Sequence, residues 1–140
     1  LNLPGKTITG GFQPDYEAQT LAGVQVVVER QSGLMWQQAG PDIRMSLAEA
    51  QKYAERLNQE RHAGFTDWRL PTVEELVSLI EPVKMETFYI APVFKMKGSY
   101  YWSADTRVSN SAWSVAFTSG NVDSNNINTS FYVRAVRSMR

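Results

Sequence analysis

Two short strings fix where helices can begin in this chain, and the rest of the sequence has to be arranged around them. In Ser46-Leu47-Ala48-Glu49 the Ser hydroxyl can accept the amide of the third helical residue while the Glu carboxylate reaches back to the Ser amide. Thr72-Val73-Glu74-Glu75 repeats the device. After the first string, Leu47, Ala50, Ala54 and Leu57 share one helical face, and Lys52, Glu55 and Arg56 point away from it. After the second, Val73, Leu76, Val77 and Ile80 keep helical spacing until Pro82, which is expected to stop the helix.

Strand patterns lie on both sides of this pair. Residues 1–23, rich in Gly, Thr, Gln and Pro, read as an irregular arm or a short edge pairing. Val24 to Glu29, with Val24, Val26, Val27 and Val28, suits a well-buried strand, and Ser32-Gly33 can turn the chain so that Leu34 to Gln37 returns beside it. Beyond Pro92 short aromatic runs alternate with Ser, Asn, Asp and Gly. Tyr100 to Ser103, Ala112 to Phe117 and Phe131 to Val136 are strand candidates. Trp113, Val115 and Phe117 are expected to alternate toward the core, and Ser119-Gly120-Asn121 offers a turn. Strands, two helices, then strands is an α+β order. At 140 residues there is material for one core, so residues 24–140 are expected to form a single domain. No apolar run is long enough to cross a bilayer, and the opening lacks a charged segment followed by an apolar one.

The reactive inventory is thin. The chain has no cysteine, which removes disulfides, thiolate nucleophiles and thiolate metal sites. Its one histidine, His62, falls in a polar stretch after the first helix, where a cation complements the helix dipole. Glu74-Glu75 and Glu49/Glu55 diverge around their helices and do not pair as acid and base. There is no phosphate-binding Gly-Lys loop and no convergent carboxylate loop for calcium. The expectation is a non-enzymatic module with no cofactor, no metal and no nucleic-acid partner.

A polar tract is what remains. Asp105, Arg107, Asn110, Asn121, Asp123, Asn125, Asn126 and Asn128 are interleaved with Ser and Thr. They can form an adaptable hydrogen-bonding surface, or simply the connections of ordinary hairpins. Residues 1–94 hold 8 basic against 12 acidic side chains and residues 95–140 hold 6 against 2, so the halves carry −4 and +4. If that positive excess gathers at the tract, an anionic glycan is the expected ligand, with Arg107 as its first contact.

Several strings in one order resemble a known family. Gly64-Phe65-Thr66-Asp67-Trp68-Arg69-Leu70-Pro71-Thr72-Val73-Glu74-Glu75-Leu76 is similar to the signature of the Lcl C-terminal domain family, the globular end of a bacterial collagen-like adhesin and its relatives. Ser32-Gly33-Leu34-Met35-Trp36-Gln37, Tyr101-Trp102-Ser103, Ala112-Trp113 and Val133-Arg134-Ala135-Val136-Arg137 resemble its other segments. The resemblance implies a C-type-lectin-like fold, with two helices flanking a mainly antiparallel sheet and a second small sheet carrying long loops. It also implies a place outside the cytoplasm and a C-terminal surface that meets a glycan or a surface protein. A structural or assembly domain of an envelope protein is the alternative. Ala54 and Ala135 look like the places of cysteines in many members, so a disulfide is expected to be replaced here by packing. Asn-rich tracts of this kind also resemble retroelement-diversified receptor domains. Gln13-Pro14-Asp15 copies a calcium-lectin string but lies far from where that string works. Arg69-Leu70-Pro71-Thr72 further resembles formylglycine-generating enzymes, whose chemistry needs the cysteines this chain lacks. From the residues themselves, Trp68 and Leu70 should pack inward, Thr72 should cap, and Arg69 needs Asp67 or Glu75 as its counter-charge.

Overall fold

The computed structural model describes residues 13–140. Its first sheet is antiparallel in the order β1-β2-β3-β9, built from β1 (Tyr16–Leu21), β2 (Val24–Glu29), β3 (Leu34–Gln37) and β9 (Val136–Ser138). β2 is covered on both faces, which is why its valines run consecutively. Val27 packs with Trp36, Leu76, Phe94 and Val136, whereas Val26 and Val28 pack with Met35, Leu57, Trp68 and Ala135. β1 lies beside β2 through its whole length, from Tyr16↔Glu29 to Leu21↔Val24. Ala22 and Gly23 both take positive φ in the turn between them, as a two-residue hairpin requires. Of the two readings of the N-terminal segment, edge pairing therefore holds for 16–21, and residues 1–12 lie outside the described residues.

Both capping boxes form. α1 (Leu47–Gln59) buries Leu47, Ala50, Ala54 and Leu57, as its spacing predicts. α2 runs only from Val73 to Ser78, a correction to the longer helix expected up to Pro82. Ile80, which kept helical spacing, instead opens β4 (Ile80–Met85), and this strand contains Pro82 and pairs with β5 (Phe88–Ile90). A proline without an N–H is tolerated there because the two-stranded sheet is irregular between Ile80 and Met85 and asks little of the ladder. The third sheet is β6-β7-β8, from β6 (Tyr100–Arg107), β7 (Ser111–Ala116) and β8 (Asn121–Asn126). The fold is α+β with three antiparallel sheets, so two small sheets stand where one was expected. The expected long loops between 105 and 128 are largely a meander of strands with tight turns.

The Trp68-Arg69-Leu70-Pro71 signature is structural. Trp68 is 2% exposed and its Nε1 donates to the His62 carbonyl at 2.8 Å. Asn58 brackets its backbone, accepting from Trp68 N at 2.7 Å and donating to Trp68 O at 2.9 Å. Arg69 takes Glu75 as its counter-charge in a two-pronged pair of 2.7 and 2.9 Å, and Asp67 goes instead to Arg137. Burial raises the Glu75 carboxyl, but its bonds to Arg69 and to the Thr72 cap outweigh that and hold it below the ordinary carboxylate range. Ala54 and Ala135 are both buried. His62 corrects an expectation in its physical reason: it sits in a 3-10 turn with its ring edge-on to Trp68, and burial lowers its pKa. Burial disfavours the charged ring, so packing accounts for His62, and the cation in the last turn of α1 is Arg56.

Trp102 is wholly buried among Met45, Leu47, Ala50, Leu70, Ala112 and Val133, with its Nε1 donating to Met45 O at 2.8 Å. Trp68 anchors the second cluster in the same way, so Trp68→Ala is expected to cost about 3–5 kcal/mol. Equilibrium urea unfolding, with an unchanged denaturant slope, is the check.

Candidate functional site

β7 determines what the polar tract can present. Its register pairs Ser111 with Asn126, Trp113 with Ser124 and Val115 with Val122 on one face. On the other face Ala112 pairs with Asn125, Ser114 with Asp123 and Ala116 with Asn121. α2 packs on β6 and β7 through Leu76 and Val77, in the cluster that holds Tyr101, Val115, Phe117 and Val122. Trp113 belongs to that face by parity, yet it lies outside the cluster and is only half-buried. This corrects the expectation that it points into the core: α2 is too short to cover it.

Beside Trp113, the Arg107 guanidinium carbon lies 5.4 Å from the indole centroid, and its Nη1 donates to Ser124 Oγ at 3.3 Å. The chain reaches this position through an irregularity in β6 between Trp102 and Thr106. The buried Ser103 hydroxyl supports it, donating to Trp113 O at 2.7 Å and accepting from Asp105 N at 3.1 Å. Val108, Ser109 and Asn110 form the exposed hairpin tip, where Ser109 and Asn110 both take positive φ and Val108 is 75% exposed.

The eight residues singled out from the sequence are not brought together. Arg107 and Asn126 share the Trp113 face, Asn121, Asp123 and Asn125 lie on the other, and Asn110 and Asn128 sit in turns. Several work inside the fold. Asp105 Oδ2 accepts the Val73 amide at 2.7 Å and so holds the first turn of α2, where a negative charge suits the helix dipole. Asn125 Oδ1 accepts from the buried Ser114 hydroxyl at 2.8 Å, and Asn126 Oδ1 accepts from Asn128 N at 2.8 Å. The Asn-rich tract is thus strand β8 and its exit turn, not a free loop.

The positive excess of residues 95–140 is dispersed as well. Arg134 is 1% exposed and bound to carbonyls, Arg137 pairs with Asp67 at 2.7 Å, and Arg140 donates to Arg30 O at 3.1 Å. Lys95 and Lys97 line a separate groove. Arg107 is the one cation of the tract, so the condition for an anionic-glycan surface is not met. What the site offers is a partly exposed indole beside a guanidinium, flanked by Ser111, Ser124 and Asn126. No group of three or more His, Cys, Asp or Glu side chains among the described residues could hold a metal.

A family model described as the Lcl C-terminal domain matches residues 25–137. Among curated proteins nothing matches the chain. If Asp105 serves the helix and not a ligand, Asp105→Ala should cost about 1 kcal/mol of stability, the usual loss at a helix N-terminus, and leave any Arg107-dependent binding unchanged. Thermal unfolding and a binding titration on the same variant check both halves.

Proposed function

The chain belongs to the Lcl C-terminal domain family, and from that premise we propose that it is a non-catalytic ligand-binding or adhesion module that works outside the cytoplasm through its Trp113 face. The observation that carries this reading is the contrast among the four tryptophans. Trp36, Trp68 and Trp102 are at most 2% exposed, whereas Trp113 stays half-buried beside Arg107. A large aromatic left partly in water forgoes burial that its neighbours obtain, and a sheet face gives it a rigid, pre-formed setting.

A sugar ring suits such a place. Its C–H face can lie on the flat indole and guanidinium, and its hydroxyls can exchange hydrogen bonds with Arg107, Ser124 and Asn126. With one cation present, stacking and hydrogen bonding carry recognition, and its salt dependence is shallow. Protein ligands that present an exposed aromatic or proline satisfy the same chemistry. The alternative, an assembly domain of an envelope protein without its own soluble ligand, draws support from Asp105, Asn125 and Asn126, which spend their side chains within the fold.

Tryptophan fluorescence separates the two, because only Trp113 is placed to respond to a ligand on this face. Screening arrays of glycans and surface proteins should yield ligands that change the emission. Arg107→Ala should weaken their binding by about 1 kcal/mol with little effect on stability. Trp113→Ala should weaken it further and abolish the signal. Binding indifferent to both substitutions, or no binder on either array, would overturn the proposal.

A further inference from the structure

β8 is the outer strand of the third sheet. It pairs with β7 over its whole length, from Ser111↔Asn126 to Ala116↔Asn121, and no strand among the described residues pairs with its other side. Free strand edges are normally blunted by lysine, proline or a bulge. β4 follows that pattern, with Pro82, Lys84 and an irregular register. β8 reads Asn121-Val122-Asp123-Ser124-Asn125-Asn126 in unbroken register, and its one charge is Asp123.

The backbone groups along this edge can be named. Ile127 N donates to Asn110 O at 2.9 Å, one step beyond the Ser111↔Asn126 pair, and Asp123 O accepts the Ser114 hydroxyl at 3.3 Å. Backbone groups alternate in direction along an antiparallel ladder, so Asp123 and Asn125 bond toward β7. Val122 and Ser124 therefore turn N–H and C=O to the open edge. Asn126 turns its N–H the same way, while its carbonyl accepts Thr129 N at 2.9 Å.

Any extended chain could satisfy those groups, so the side chains decide the occupant. A second copy related by a two-fold axis through the edge sets one residue opposite its own counterpart. With Asp123 on the axis two carboxylates would meet, which is unfavourable. With Ser124 on the axis, Ser124 exchanges both backbone bonds with its counterpart, and Asp123 lies opposite Asn125 of the other copy, twice by symmetry. Asn125 is already oriented for that contact: its Oδ1 accepts the Ser114 hydroxyl at 2.8 Å, which leaves its NH2 to donate. Asp123 has no cation partner among the described residues. A foreign strand would have to bring an amide to Asp123 and a carboxylate to Asn125, whereas a second copy carries both at the required spacing. The formal charge of zero adds no long-range repulsion between copies.

We propose that β8 pairs antiparallel with β8 of a second copy about an axis at Ser124, joining two three-stranded sheets into one of six. Because Trp113 pairs with Ser124, the two indoles then lie in line on one continuous face, about 14 Å apart, three strand spacings.

Sedimentation equilibrium over a concentration series reads the association, and a monomer–dimer equilibrium is expected. Asn125→Asp keeps an oxygen for the Ser114 hydroxyl but sets carboxylates against Asp123 at two symmetric places, and should raise the dimer dissociation constant about tenfold. Adding Asp123→Asn to the same chain exchanges the two groups and should restore the dimer. Ser124→Pro removes an N–H that faces the open edge, leaves the β7 ladder its bonds and should give monomer. Far-UV circular dichroism checks that each variant folds, and the exchange variant keeps the test decisive if the proline variant does not. Protein that stays monomeric at every concentration, a dimer that Asn125→Asp leaves unchanged, or one that the exchange fails to restore would overturn the proposal. The association is read without any ligand, so this proposal and the one for the Trp113 face fail separately.

Discussion

The Arg134 guanidinium is buried to 1% exposure and is met by carbonyl oxygens, not by a carboxylate. Its Nη1 donates to Gln37 O at 2.8 Å and Gln38 O at 2.5 Å, and its Nη2 donates to Lys95 O at 2.9 Å. Phe94 and Tyr101 lie 5.0 and 5.4 Å from it, each presenting a ring face. Taking a full charge out of water is costly, and only a site that satisfies most of its donors can hold it. Burial pushes this group below its ordinary value, with Tyr101 opposing, yet an arginine stays protonated. A planar fork can reach carbonyls on two separate segments at once, which a lysine ammonium cannot do in this geometry.

The last segment of the chain fastens the others from that point. Gln37 exchanges backbone and side-chain bonds with Ala135: Gln37 N donates to Ala135 O at 3.0 Å, and Gln37 Oε1 accepts Ala135 N at 2.9 Å. At Gly40 a Cβ would collide with Val133 O, so the segment leading into β9 can lie directly on the β3 exit only because a glycine is there. Arg137 continues the pattern, pairing with Asp67 and covering the Phe65 ring at 3.7 Å. Arg69 exchanges backbone bonds with Val136 and ties α2 through Glu75. Arg134 and Arg137 thus stitch the closing segment to the first sheet, to the segment at Lys95 and to the signature stretch.

How much of this was legible in the sequence depended on how local its cause was. Both helix starts were, because a capping box needs only four residues, and so was the burial of Trp68, which alternates with Leu70 just before a capped helix. The end of α2 was not: Ile80 fits helical spacing by coincidence, and only tertiary packing sends it into a strand. β8 was hidden because Asn and Ser have poor strand propensity and the strand exists by virtue of β7's register. Trp113 was misplaced because parity shows which face a residue shares, but not how far along that face the covering helix extends. The site suffered most, since whether Asp105 or Asn125 faces water or the fold is decided by residues distant in sequence, Val73 and Ser114.

The candidate surfaces inherit their geometry from this frame. The Trp113 face is set by β7, with α2 packed farther along the same face, and the segment at Lys95 is held by the carbonyl that Arg134 grips. The most direct test of that dependence is the unfolding free energy of Arg134→Lys measured by urea denaturation. Keeping the charge while losing the fork should cost about 3 kcal/mol or more, because a buried cation and up to three carbonyls are left imperfectly paired. A variant within about 0.5 kcal/mol of the parent, the range of an ordinary surface substitution, would contradict the account.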